Sequence, residues 1–546
     1  MPEIVLSQYQ KNIIDYYKSH PDENIMVNAL AGVGKSFILC QLLEMSKTSD
    51  IYLAFNSSIA EEFRHKIKNP KVKIYTSHSL GLSIMNSNLS GSKSGGIGIS
   101  RGKDSEKAVL DNLKVHKSVD DMITSTYGRR FNWDERNFLK NNYVTLYNLA
   151  RVTQSLEDRE KIERLVEEHG LFFDVEGNFH RPDNSVICSW IWDIDKESLD
   201  QFESDRIIDF TDMIYITVKK LAEKEWNVPF YNLYTNIAVD EAQDINRLTF
   251  AFIRFIKRKG GRYVFVLDKN QAIYGFNGGN ANSYNDIPKM FSPVKEFDLP
   301  INYRCPTSHL DYVNQTFSIP IKARPDAPEG EIIHIEKREV KEYVQPGDMV
   351  ISRKNKWFAP LLVELAVSGI PVYIEDKDMV ESIRKLIKGQ KVVGCTGLKH
   401  KLEETMQNYR KKISSIIKDT QDVDSMVDTT EASTRISVIN DKVDNIDFVL
   451  QLLNPYMEKN PNPTVEQFLT YLNRILNTIP SNECVRICSV HKAKGLEAPN
   501  VFVLNEAKVC TTFNMPREQK EQEINLSYIS VTRAMDTLYL VTEEDA

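Results

Sequence analysis

Ala29-Leu30-Ala31-Gly32-Val33-Gly34-Lys35-Ser36 follows the apolar run Ile25-Met26-Val27 and leads into a helical pattern. A buried strand that breaks into glycines and re-forms as a helix is built to hold phosphate. Gly32 and Gly34 allow backbone N–H groups to turn inward around phosphate oxygens. Lys35 is placed to reach the β- and γ-phosphates, and the Ser36 hydroxyl to ligate Mg2+. Ala29 stands where the strict GxxxxGK[ST] pattern has its first glycine, so the pattern is incomplete by one residue. The stretch from Ala29 to Ser36 therefore predicts a nucleotide site on an α/β sheet.

Three more runs fit the same sheet. Ile51-Tyr52-Leu53-Ala54-Phe55 ends at Asn56, Ile237-Ala238-Val239 at Asp240, and Tyr263-Val264-Phe265-Val266-Leu267 at Asp268. Continuous apolar runs read as parallel strands buried on both faces, with active loops at their C-terminal ends. Asp240-Glu241-Ala242-Gln243-Asp244 sits at one such end. Asp240 is the candidate metal ligand and Glu241 the candidate general base that polarises the attacking water. A second set comprises Met349-Val350-Ile351-Ser352, Val372-Tyr373-Ile374, Val485-Arg486-Ile487-Cys488, Val501-Phe502-Val503-Leu504 and Leu538-Tyr539-Leu540-Val541. Two α/β sheets fit these runs better than one.

The 546 residues are enough for three or four domains. With a net charge of -7 a globally basic footprint is excluded, so any nucleic-acid track must be a local cationic strip. The seven cysteines form no CxxC pair and read as reduced thiols rather than a zinc site. The N-terminus lacks a basic stretch followed by an apolar core, and no apolar run is long enough to span a bilayer. A cytoplasmic or nucleoid-associated protein with no membrane partner is expected.

Two segments interrupt the strand pattern. Residues 81–205 are helix-rich in composition, and the Gly/Ser-rich part from Asn88 to Ser105, with Lys93, Arg101 and Lys103, reads as a flexible loop. Residues 377–480 include a charged helical stretch from Leu402 to Lys418 and a polar linker from Asp422 to Thr434. The expected organisation is a first core domain of 1–80 and 206–297 with 81–205 inserted. A second core of 298–376 and 481–546 carries the short insertion 377–480.

Further motifs complete the pattern: Leu6-Ser7-Gln8-Tyr9-Gln10, Phe55-Asn56, Thr76-Ser77-His78-Ser79, and Asp268 through Phe276. Asn302-Tyr303-Arg304, Val490 through Glu497 and Tyr528 through Ala534 follow. In this order they resemble the UvrD/Rep-like helicases of superfamily 1, nearest to the F-box DNA helicase type and its phage and bacterial relatives. The likeness covers both core domains and implies two RecA-like P-loop domains, each with a mainly helical insertion. It implies that Gln10 reads adenine, that Gln271 senses the γ-phosphate, and that Tyr303 stacks on the base. It implies that Glu497 lies near the ribose, and that Arg304 and the arginine finger Arg533 touch the γ-phosphate. Phe55, Asn56, His78, Tyr274, Phe276 and His491 become candidate DNA contacts. Three departures stand out: Leu267 for a frequent glycine, Asn277 for a frequent arginine and Ala498 for the usual tryptophan.

The resemblance implies ATP with Mg2+ bound between the two cores and hydrolysed to step along single-stranded DNA, 3′ to 5′, with unwinding of tailed duplexes. Replication, repair or defence proteins are the expected partners. A DNA-stimulated ATPase subunit that does not unwind is the rival. A dead scaffold is disfavoured by Lys35, Glu241, Arg304 and Arg533. A fused nuclease is not expected, because the sixth motif lies close to Ala546.

Overall fold

The computed structural model describes residues 6–89, 98–99, 124–125, 128, 131–173, 181–275, 283–421, 429–476, 483–505 and 517–542. The chain divides into two compact units, one of residues 1–30 and 34–299, the other of residues 31–33 and 300–546.

The first unit contains β1 (Asn24–Ala29), β2 (Asp50–Ala54), β3 (Val72–Thr76), β4 (Gly98–Ile99), β5 (Ile207–Ile208), β6 (Tyr234–Val239), β7 (Lys257–Leu267) and β8 (Val294–Leu299). Six of them form one sheet in the order β3-β2-β6-β7-β1-β8, with every pair parallel. β4 and β5 form a separate parallel pair. The sheet packs on a core that includes Met26, Leu53, Leu80, Ile84, Phe252 and Phe265. Helices begin where side chains satisfy the first-turn N–H groups. Asn56 accepts from Ile59 N, Asn246 from Thr249 N, and Ser7 with Gln10 forms a reciprocal capping box.

The helices Trp133–Val152, Arg159–Glu168 and Asn184–Asp205 share their own apolar core, among them Leu139, Tyr143, Leu146, Ile162 and Ile191. The helix Ser77–Leu89 runs across position 80, and its Leu80 and Ile84 pack on the sheet. Asn88 and Leu89 thus complete a helix instead of opening a loop, and Gly98–Ile99 pairs with Ile207–Ile208. The rest of the Asn88–Ser105 stretch lies outside the described residues.

The second unit holds β9 (Ile301–Asn302), β10 (Lys322–Ala323), β11 (Glu331–Glu336), β12 (Met349–Ser352), β13 (Val372–Ile374), β14 (Val485–Ser489), β15 (Ala498–Leu504) and β16 (Ala534–Thr542). The main sheet runs β11-β16-β15-β12-β14-β13, again all parallel. Helices Lys377–Gly389, Cys395–Gln421, Thr429–Lys459 and Val465–Leu476 fill the second interruption. Lys354 and Lys356, just past β12, each hold Asp444 of this helical layer at 2.9 Å. The expected linker from Asp422 to Thr434 is corrected in part. Residues 429–434 belong to the Thr429–Lys459 helix, where the polar residues sit in helical register with Ala432 buried, and 422–428 lie outside the described residues.

All nine strands read from apolar runs are present. The three strands added to the two main sheets, β3, β8 and β11, are edges, and the other four added strands form the two short pairs β4-β5 and β10-β9. An edge strand has one unpaired side and carries charged residues there, so Val294-Lys295-Glu296-Phe297-Asp298-Leu299 shows no continuous apolar run.

Candidate functional site

In the first unit the site lies at the C-terminal ends of the central strands. β1 ends at Ala29, and the loop after it turns on Gly32 and Gly34, with φ of +64° and +83°. Such angles suit glycine and strain other residues. Val33 is buried, and Lys35 and Ser36 open the helix Lys35–Glu44.

Lys35 Nζ lies 3.3 Å from Glu241 Oε1, so the loop cation and the acid after β6 occupy one place. Glu241 has φ +48°, a left-handed conformation costly for a side chain with a Cβ and characteristic of functional sites. Asp240 is buried. Its Oδ2 accepts from Tyr52 OH at 2.8 Å and its Oδ1 from Glu241 N at 2.9 Å. Burial, followed by the neighbouring Glu241 charge, raises its pKa above the usual carboxylate range. Ser36 and Asp240 offer oxygen alone, the donor set a hard cation such as Mg2+ takes while keeping several waters. Among the described residues no three His, Cys, Asp or Glu side chains cluster to cage a metal.

Gln243 ties two strand ends together. Its Nε2 donates to the Glu241 carboxylate, and its Oε1 accepts from Asp268 N at 3.1 Å. Asp268 Oδ2 in turn accepts from Gln271 Nε2 at 2.8 Å. Gln10 is buried in the helix Gln8–Ser19, with its Oε1 accepting from Ser7 N at 3.0 Å. A Cβ placed on Gly34 would sit 3.7 Å from Gln10 Nε2, which puts that amide beside the phosphate loop. Lys35, Asp240, Glu241, Gln271 and Gln10 are therefore gathered around one loop.

Aromatic candidates lie along the same edge. Phe55 follows β2 and is exposed, with its ring 5.6 Å from that of Tyr274. Asn56 caps the helix Ser57–Lys66 with its side-chain oxygen. His78, in the first turn of the helix Ser77–Leu89, stacks on Phe210 at 3.9 Å. Burial lowers the His78 pKa to about 4, so it is neutral at pH 7. Phe276 lies outside the described residues.

In the second unit, Arg304 follows β9, with Tyr303 between them half-buried. Arg304 Nε donates to Glu497 at 2.6 Å and its Nη1 to Thr532 O at 3.2 Å. Arg533 is only 2% exposed. Its guanidinium donates to Ile529 O at 2.9 Å, Thr532 Oγ1 at 3.1 Å and Leu496 O at 3.4 Å. His491 lies in the short helix after β14, its pKa lowered to about 4 by burial and then by the charges of Arg353, Lys492 and Lys494. Arg304, Glu497 and Arg533 thus meet around the Leu496 and Thr532 carbonyls.

Sequence reasoning passed over Tyr52, Gln243 and Phe210. Tyr52 looks like any aromatic in an apolar strand. Gln243 had a signal, since it lies inside the acidic motif, but its partner at Asp268 is 25 residues away.

Residues 7–292 match the family model described as the UvrD/REP helicase N-terminal domain, and residues 485–541 that of the UvrD-like helicase C-terminal domain. The ATP-dependent DNA helicase PcrA of Staphylococcus aureus is 21% identical over 432 residues, covering 62% of this chain and 59% of the relative. The protein of the same description from Staphylococcus epidermidis is 20% identical over 432 residues, with the same coverage. The chain thus spans 59% of the length of these curated relatives.

Proposed function

The chain belongs to the UvrD/REP helicase family, and on that premise we propose that it is an ATP-hydrolysing motor that moves along single-stranded DNA and unwinds duplexes. The observation that carries this reading is the 3.3 Å pair of Lys35 with Glu241. A triphosphate and Glu241 attract the same ammonium, so nucleotide binding redirects Lys35 to phosphate and leaves the carboxylate to take a proton from water. Gln243 joins that carboxylate to the turn bearing Gln271, which supports a γ-phosphate contact for Gln271. Ser36 and Asp240 would hold Mg2+, which supplies charge neutralisation at the phosphates. Gln10 and Tyr303 are the proposed adenine contacts, and Glu497 the ribose contact. Arg304 and Arg533 are the proposed cations for charge developing on the transferred phosphoryl group.

Phe55, Asn56, His78, Tyr274, Phe276 and His491 are the proposed DNA contacts. Stacking holds bases whatever their sequence. The direction proposed is 3′ to 5′, on the motifs Gln271-Ala272-Ile273-Tyr274 and Lys494-Gly495-Leu496-Glu497. The domain division proposed is two RecA-like cores with helical insertions near 81–205 and 377–480. Replication, repair or defence complexes are the proposed setting.

The test is ATPase with and without single-stranded DNA, then unwinding of duplexes with a 3′ or a 5′ tail. DNA-stimulated hydrolysis with unwinding from the 3′ tail is the expected result. Stimulated ATPase without unwinding would favour a translocating subunit, and unwinding from the 5′ tail would reverse the polarity. An ATPase indifferent to DNA would end the motor reading.

A further inference from the structure

Phe230 and Tyr231 are 75% and 65% exposed, more than any other aromatic side chain among the described residues. They are neighbours in the short 3-10 helix Phe230–Asn232, just ahead of β6. Single exposed apolar side chains are ordinary, whereas adjoining ones mark interaction sites. Three further features set this pair apart.

The first is a fixed mount. Asn88 Nδ2 donates to Asn227 O at 3.0 Å, and Asn227 N donates to Asn88 Oδ1 at 3.1 Å. The Tyr231 hydroxyl and Ser87 Oγ are hydrogen-bonded at 2.7 Å. Within the turn, Asn232 N donates to Pro229 O at 2.8 Å and Leu233 N to Phe230 O at 3.2 Å. The helix Ser77–Leu89, which supplies Ser87 and Asn88, is itself pressed on the helix Asp212–Ala222, where a Cβ on Gly81 would fall 2.2 Å from Met213 O. Folding has already ordered the backbone that presents the rings, so a partner does not meet that cost.

The second is charge. The Arg258 guanidinium, near the start of β7, lies 4.5 Å from the Phe230 ring centroid, and its Nη2 donates to Phe230 O at 3.4 Å. Its Nε is buried without a hydrogen-bond partner. Lys259 beside it is exposed. Residues 226–239 carry no charged side chain, and residues 245–267 carry six Lys and Arg and no acid. The nearest acid ahead of the rings, Glu225, is taken by Lys220 at 2.7 Å. The segments that build the patch thus bring cations and no carboxylate.

The third is position. The rings precede β6 while Asp240 and Glu241 follow it, and Arg258 lies near the start of β7 while Asp268 follows its end. The patch is therefore at the N-terminal ends of these strands, and the candidate nucleotide groups are at the C-terminal ends. A strand of this length separates them by about 20 Å, so an occupant of the patch does not compete for the nucleotide loop.

We infer that Phe230, Tyr231, Arg258 and Lys259 form a protein-docking patch, and that its occupant is an acidic segment of a partner protein. An aromatic or large aliphatic side chain of that segment covers the rings, and flanking carboxylates meet Arg258 and Lys259. Aromatic residues and arginine are where interfaces concentrate their binding energy. A nucleic-acid strand fits less well, because it needs cations repeated along a track. The inference goes beyond the motor reading and does not depend on it.

The experiment uses the full chain and a fluorescein-labelled synthetic peptide, a tryptophan flanked by aspartates, with anisotropy as the readout. A control peptide carries asparagines for the aspartates. The wild type is expected to bind the aspartate peptide, more weakly as salt rises, and to bind the asparagine peptide poorly. Phe230→Ala is expected to lower affinity about thirtyfold, the loss of a hot-spot aromatic, and Phe230→Trp to retain it. Arg258→Glu combined with Lys259→Glu is expected to release the aspartate peptide and to accept one with lysines in the same places. Such a reversal of preference does not arise from general destabilisation, and urea melts of every variant accompany it. A wild type that fails to bind the aspartate peptide, or Phe230→Ala binding it as well as wild type, overturns the inference. Displacement of the peptide by oligo-dT, with oligo-dT binding weakened in Phe230→Ala, overturns it as well and assigns the patch to nucleic acid.

Discussion

The two units arm their strand ends with opposite charge. The first places Asp240, Glu241 and Asp268 after β6 and β7, with Lys35 as the cation among them. The second places Arg304 and Arg533 around the Leu496 and Thr532 carbonyls, with Glu497 as the acid paired to Arg304. Their side chains are held differently too. The acids of the first unit bond to other side chains, through Tyr52, Gln243 and Gln271. Arg533 bonds mainly to backbone carbonyls, which do not titrate or reorient. The contrast teaches a division of labour in the proposed chemistry: proton and metal handling on one sheet, fixed positive charge on the other.

The harshest way to break that division is Arg304→Ala. Loss of a cation facing a transferred phosphoryl group is expected to lower the ATPase rate by about 10³–10⁵, with melting close to wild type because Arg304 is not core. Normal hydrolysis would remove Arg304 from the chemistry, and normal hydrolysis in Arg533→Ala as well would remove the second unit. Glu241→Gln should cost less, about 10²–10⁴ in turnover, with nucleotide affinity retained in a fluorescent-nucleotide titration. Hydrolysis at the wild-type rate would place the base elsewhere.

Two smaller effects sharpen the comparison through stability. Gly81→Ala forces a methyl against Met213 O in the first unit, at a cost of about 1–3 kcal/mol for overpacking. Urea denaturation should show the loss in the first unit's transition, and an unchanged curve would refute the tight approach of the two helices. The last expected change follows pH. His78 and His491, one in each unit, are held near pKa 4 against about 6.5 unfolded. Between those values the unfolded chain binds more protons, so stability is full above about 6.5 and falls as pH drops toward 4. Melting temperature should decline through that window, and His491→Gln should flatten the second unit's share. A slope unaffected by the substitution would mean that His491 is not held neutral.

The central strands were legible because a parallel strand covered on both faces must be apolar from end to end. Ile237-Ala238-Val239 and Val501-Phe502-Val503-Leu504 show this directly. The edges β3, β8 and β11 escaped, since Lys73, Lys295, Glu296, Asp298, Glu331 and Glu336 break up their apolar residues. The phosphate loop and acidic turn were legible for another reason: each packs its chemistry into a few consecutive residues. Tyr52 and Asp240 are 188 residues apart and His78 and Phe210 are 132 apart, and nothing local in the sequence says that either pair meets. The helix starting at Thr429 was hidden by Thr, Glu and Ser, residue types that suit a solvated helical face as well as a linker.

The capping box at Ser7 has a consequence for base recognition. One end of the Gln10 amide is already engaged in starting its helix, while the other lies against the phosphate loop. A free glutamine side chain loses about 1.5–2 kcal/mol of rotamer entropy when it is immobilised. Here folding has removed that freedom before any nucleotide arrives. If Gln10 is the adenine contact, as proposed, the purine would find a donor of fixed direction, and the precision of that contact would depend on Ser7.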